Sequence, residues 1–140
     1  MVEYFGTKFD VADASLVILV RAGRKTWGLE VKCRPTSVKA RAPKFTLDGF
    51  PLPPGGVEQI FGSRITLQDG ESDVDDAPQA LIYVWDWTAA NKNTIAVEPD
   101  DEGKVRLSWH GECGDPDAYD DRAQAGTFKI DCTCDLRYET

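Results

Sequence analysis

The sequence predicts an all-β fold, an antiparallel β-sandwich or partly open barrel of about eight to nine strands with at most one or two short helical turns. Three observations carry this expectation. Thr127–Tyr138 (TFKIDCTCDLRY) alternates apolar and polar side chains throughout, the signature of a strand with one face in a core and one in water. Ser15–Arg21 (SLVILVR) and Gln79–Trp87 (QALIYVWDW) are apolar on both parities and too short for buried helices, which suits strands covered on both faces. Turn chemistry separates these and the weaker runs at spacings of roughly 8–15 residues, with no convincing helical period between them.

Taken in order, Val2–Phe9 reads as an edge strand and Val11–Ser15 as a loop or single helical turn. Ser15–Arg21 and Thr26–Cys33 form a hairpin around Ala22–Lys25, with Trp27, Leu29, Val31 and Cys33 pointing inward. Ser37–Ala42 alternates weakly between two prolines, and Lys44–Leu47 is a strand remnant before an Asp48-Gly49 turn. The stretch Phe50–Gly56 (FPLPPGG) is an extended crossover between sheets. Val57–Phe61 suits one helical turn, and Ser63–Gln68 a strand with Ile65 and Leu67 inward. After the acidic loop Asp69–Ala77 comes the strand Gln79–Trp87, a reversal at Ala89–Asn93 and a returning strand Thr94–Val97. Glu98–Gly103 is a tight acidic turn into Lys104–Trp109, and 111–126 is a long acidic loop before the final strand. No fixed-period repeat is present, and 140 residues make a single β-sandwich-like domain, 1–140.

A net charge of −8 disfavours nucleic acid and anionic membrane surfaces, because both demand clustered cations. It favours steering toward a cationic partner. The charge is unevenly placed. Residues 21–44 carry eight Lys and Arg against Glu30, whereas residues 69–121 carry fifteen acids against Lys92, Lys104 and Arg106. The start of the chain lacks a basic region followed by an apolar core, so the expected location is cytoplasmic and the four cysteines are expected as thiols.

Cys33, Cys113, Cys132 and Cys134 all continue the apolar parity of their strands and read as small core side chains rather than a zinc set, which prefers C-x₂₋₄-C pairs on turns. His110 has the opposite parity to Val105, Leu107 and Trp109 and should face water. No nucleophile elbow, phosphate loop or dinucleotide fingerprint accompanies it, so no catalytic residue and no metal ligand is assigned. The acidic loops lack the EF-hand register, and no cofactor is expected unless calcium binds them irregularly.

These features favour a non-catalytic interaction module for a basic protein partner, of an immunity-type or accessory kind. The expected contact groups are Asp73, Asp75, Asp76, Asp115, Asp117, Tyr119, Asp120 and Asp121, with Trp87 and His110 as further binding residues. One alternative is a calcium-dependent β-sandwich that binds carbohydrate or a surface assembly through the same carboxylates and Trp87. A second is an enzyme using His110 with a nearby carboxylate.

Overall fold

The structure, a computed structural model, describes residues 1–36, 41–74, 76–84, 86–114 and 126–139. Among these residues lie ten strands and one 3₁₀ turn. In chain order they are β1 (Val2–Tyr4), β2 (Thr7–Phe9), β3 (Val11–Arg21), β4 (Arg24–Cys33), β5 (Lys44–Pro51), the 3₁₀ turn Val57–Gln59, β6 (Arg64–Leu67), β7 (Gln79–Tyr83), β8 (Trp87–Pro99), β9 (Val105–Cys113) and β10 (Gly126–Glu139).

The all-β expectation holds, but the architecture is a closed barrel rather than a sandwich. Strands β10, β3, β4, β5, β7, β8 and β9 pair in that order, and β9 returns to β10. A ring of seven strands cannot alternate direction all the way round. One neighbouring pair must run parallel, and it is β10 with β3, in register from Asp135↔Ser15 to Glu139↔Leu19. The resemblance to a sandwich has a physical origin. The two longest strands each serve two sheets: β8 pairs with β7 at its start and with β6 further on, while β10 pairs first with β1 and then with β3. These shared strands turn the corners and close what would otherwise be two sheets.

A bulge accompanies the corner in β8. Between Asn91↔Glu112 and Thr94↔His110, strand β8 spends two residues, Lys92 and Asn93, opposite the single residue Gly111. Lys92 takes a left-handed φ of 50° there. A side chain on Gly111 would come within 2.7 Å of the Asn91 carbonyl, so the bulge demands glycine opposite it. The bulge turns Asn93 into the core, where it is 1 % exposed. Its carboxamide accepts from the Trp109 indole N–H at 2.9 Å and donates to the carbonyls of Ala90 (2.6 Å) and Leu67 (3.1 Å). The expected reversal at Ala89–Asn93 is therefore wrong. The chain turns earlier, between Tyr83 and Trp87, which also shortens the predicted strand Gln79–Trp87 to β7.

The barrel interior is filled by alternating side chains. Phe45 from β5 reaches across to Trp109 of β9 and Phe128 of β10, with ring centroids 6.0 and 5.2 Å away, and Trp109 meets Phe128 edge-on at 5.7 Å. Such pairs add about 0.5–1.5 kcal/mol each beyond their buried area. The final strand keeps its predicted parity: Phe128, Ile130 and Cys134 are buried, Leu136 half-buried, and the pattern lapses at Tyr138, which is 67 % exposed. Cys33 and Cys113 are buried as expected, while Cys132 is half-buried. Val11–Ser15 is strand rather than loop, because β3 extends back to Val11 through a bulge at Ala12. The proline-rich stretch does cross from β5 to β6, and the helical turn falls at Val57–Gln59.

Asn93→Ala is expected to lose about 1–3 kcal/mol of stability in urea denaturation, because the Trp109 N–H is left buried without an acceptor. A loss below about 0.5 kcal/mol, the range of ordinary surface changes, would show that the carboxamide does not hold the bulge.

Candidate functional site

The outer faces of the barrel differ sharply from one side to the other. On β9 and β10 they are polar, presenting Arg106, Ser108, His110 and Glu112 beside Thr127, Lys129, Asp131 and Thr133. On β3 and β7 they carry apolar side chains, next to the polar Thr26, Glu30, Thr46 and Asp48 of β4 and β5. Val17 and Leu19 of β3 and Leu81 of β7 are half-buried on the outside of the wall while their neighbours Leu16, Ile18, Ala80 and Ile82 fill the inside. Both-parity apolar runs thus correspond to a wall whose outer side forms a furrow.

A second bulge opens that furrow. Between Trp27↔Phe50 and Leu29↔Leu47, β5 spends Asp48 and Gly49 opposite the single residue Gly28. Gly49 adopts φ 88°, and a side chain on Gly28 would lie 2.0 Å from the Leu47 carbonyl. The Asp48-Gly49 pair is therefore a bulge within a strand that runs on to Pro51, not the turn expected from the sequence. Gly28 leaves the furrow floor without a side chain, and the bulge aims Asp48 over it.

Three depressions run into one another here. The central one, of about 400 Å³, is lined by Val17, Leu19, Gly28, Asp48, Leu81 and Trp87 among others. It shares Leu81 and Trp87 with a neighbour that adds Glu71, Ser72 and Asp73. It shares Leu19 and Asp48 with another that adds Arg21, Arg24 and Asp76. Trp87 is 47 % exposed, tilted against Tyr83 with centroids 5.0 Å apart, and stands at the edge of the apolar floor.

The electrostatics of the furrow are uneven. Arg24 pairs with Asp76 at 3.0 Å and so joins the basic and acidic regions of the sequence. Glu30 of β4 holds Arg137 of β10 across the outside of β3 and Lys44 of the adjacent β5; burial opposes its charge, but these cations keep its pKa below the usual carboxylate value. Asp48, Glu71 and Asp73, in contrast, have no ion-pair partner among the described residues. The surrounding wall desolvates Asp48 and raises its pKa. Asp48 is thus an exposed carboxylate without an ion-pair partner among the described residues, beside the half-buried Leu19 and Leu81.

Of the expected contact residues, the structure brings Asp73 and Trp87 into one depression and places Asp76 at the far end of the same furrow. His110 is exposed on the opposite side of the wall, across from Lys129 and Thr94, and takes no part in the furrow. Asp75, Asp115, Asp117, Tyr119, Asp120 and Asp121 lie outside the described residues. Asp48, Leu19 and Leu81, which line the furrow, were not singled out from the sequence. The signal for Leu19 and Leu81 lay in the two both-parity runs, whereas Asp48 lies outside both. Among the described residues no three His, Cys, Asp or Glu side chains converge to hold a metal, and no helix is long and apolar enough to cross a membrane. The chain matches no protein-family model, no curated protein and no solved structure.

The raised pKa of Asp48 has a sign that can be checked. The folded state holds this proton more tightly than the unfolded chain, so the ionised carboxylate opposes folding above its folded pKa, and the penalty vanishes below the usual 3.8. Asp48→Asn is therefore expected to raise the melting temperature at neutral pH, with the gain shrinking as the pH falls toward that value. A lower melting temperature at neutral pH would reveal a favourable partner for the charge.

Proposed function

We propose that this protein is a non-catalytic interaction module that binds a basic protein segment in the outer furrow of its barrel, in the manner of an accessory or immunity-type protein. The carrying observation is Asp48: a carboxylate without an ion-pair partner among the described residues, turned by a bulge over an apolar floor edged by an exposed tryptophan. A lysine or arginine suits this chemistry. Its methylenes would lie along Leu19, Leu81 and the Trp87 ring, and its cationic head would meet Asp48, with Glu71 and Asp73 supplying further attraction at one end. A charge of −8 steers such a partner in from a distance. On this reading Glu71 and Asp73 of the first acidic loop form one flank of the site, and its centre lies on the barrel wall.

The test is titration of short oligolysine and oligoglutamate peptides, followed by calorimetry and by backbone amide shifts. Oligolysine is expected to bind, to perturb amides around Gly28, Asp48 and Leu81, and to weaken steeply as salt shortens the Debye length to about 10 Å and below. Trp87→Ala and Asp48→Asn are each expected to weaken it by about tenfold, roughly 1.4 kcal/mol. Asp48→Asn would do so while gaining stability, a combination typical of a residue kept for binding rather than folding. Binding that is insensitive to both substitutions, or equal for the two peptides, would remove the furrow from consideration.

A further inference from the structure

One end of the furrow carries charge of the opposite sign. Ala22 and Gly23 take left-handed backbone angles, φ 48° and 77°, and make the two-residue turn that joins β3 to β4. The turn sets Arg21 directly across from Arg24, with both side chains exposed. Like charges facing each other across a strand pair oppose the fold. Asp76 relieves Arg24, accepting through its carboxylate at 3.0 Å and its backbone carbonyl at 3.1 Å. Arg21 has no ion-pair partner among the described residues. It lines the same depression, of about 600 Å³, as Asp48 and Leu19. A cation and an anion thus border one hollow, and no ion pair joins them.

We propose that the furrow recognises a peptide segment of mixed charge, in which a Lys or Arg bound at Asp48 is accompanied by an Asp or Glu bound at Arg21. The proposal rests on the furrow being the binding site and adds the order of charges in the partner. Sheet geometry sets their spacing. Arg21 and Asp48 belong to β3 and β5, two strands apart, which is about 10 Å. Along the strands Asp48 lies opposite Gly28, four residues from Arg24, which is about 13 Å. The two backbone positions are therefore about 16 Å apart. In an extended partner the side chains on one face recur every second residue, and residues i and i+4 stand about 13 Å apart. The long Arg21 side chain covers the remainder. An acid next to the base would point to the other face and miss it. At the opposite end Glu71 and Asp73 favour a further cation, so the partner reads acid, base, base along the furrow.

The experiment titrates the full chain with four capped peptides, each holding one Lys-Lys pair in a Gly-Ser background, and follows backbone amide shifts. Glu stands four residues before the pair, four residues after it, or next to it, and in the fourth peptide Gln replaces it. One of the two distant placements is expected to bind about fivefold more tightly than the Gln peptide and to shift the amides of Arg21 and Arg24. The adjacent placement should give no such gain. Arg21→Gln should remove the gain while tightening the Gln peptide, because a like charge has gone. Arg64→Gln on β6, outside the furrow, removes the same charge and should leave the gain intact. The comparison of peptides on the unsubstituted chain does not depend on any variant folding. Lysine peptides that bind with no gain from a distant Glu, or a gain that survives Arg21→Gln, would overturn the mixed-charge reading and leave the furrow standing. Failure of every peptide to bind would overturn both.

Discussion

A buried carboxamide holds the barrel closed. Strand β8 has to leave one sheet and enter the other while keeping β9 along its whole edge, and it manages this by spending Lys92 and Asn93 opposite Gly111. A strand bent in this way strands backbone groups. The Asn93 side chain satisfies the Ala90 and Leu67 carbonyls and accepts the Trp109 N–H, the Lys92 amide bonds the Gln68 carbonyl at 2.8 Å, and the Asn91 side chain accepts from Gly70 at 2.9 Å. Trp109 is the hub of the aromatic contact between Phe45 and Phe128, so the bulge, the corner and the core depend on one another. In a low-dielectric interior such a network is stabilising only when fully satisfied, and this one is.

A second bulge of the same kind lies on the other wall, between β4 and β5. Asp48 and Gly49 face Gly28 as Lys92 and Asn93 face Gly111, but here the extra residue points outward. In one case an amide enters the core and finds three partners. In the other a carboxylate hangs over an apolar furrow and finds none among the described residues. The Glu30–Arg137 pair at the rim spans β3 and ties β4 to the far end of β10, bracing the wall next to the parallel seam.

Gaps in the strand pairing follow from the same geometry. Because β10 changes partners from β1 to β3, residues 132–134 of its edge lie between the backbone pair of Met1 with Asp131 and the start of the parallel seam at Asp135.

By itself the sequence determined the strand character of nearly every element, because a period of two is imposed locally by the pleat and survives wherever one face is buried. It placed Trp109, Leu107, Phe128 and Ile130 inward and His110 outward, put the crossover at the prolines, and marked the helical turn after Gly56. Tertiary structure decided what local periodicity cannot encode. Bulges change parity without changing composition, so Ala89–Asn93 looked like a turn and Asp48-Gly49 like another, though both lie inside strands. Closure into a barrel rests on β8 and β10 each choosing two partners, which is a long-range pairing and leaves no local trace. The second apolar face of β3 and β7 was visible in the residues, but whether it meets the protein's own core or an open furrow depended on where those strands sit in the ring.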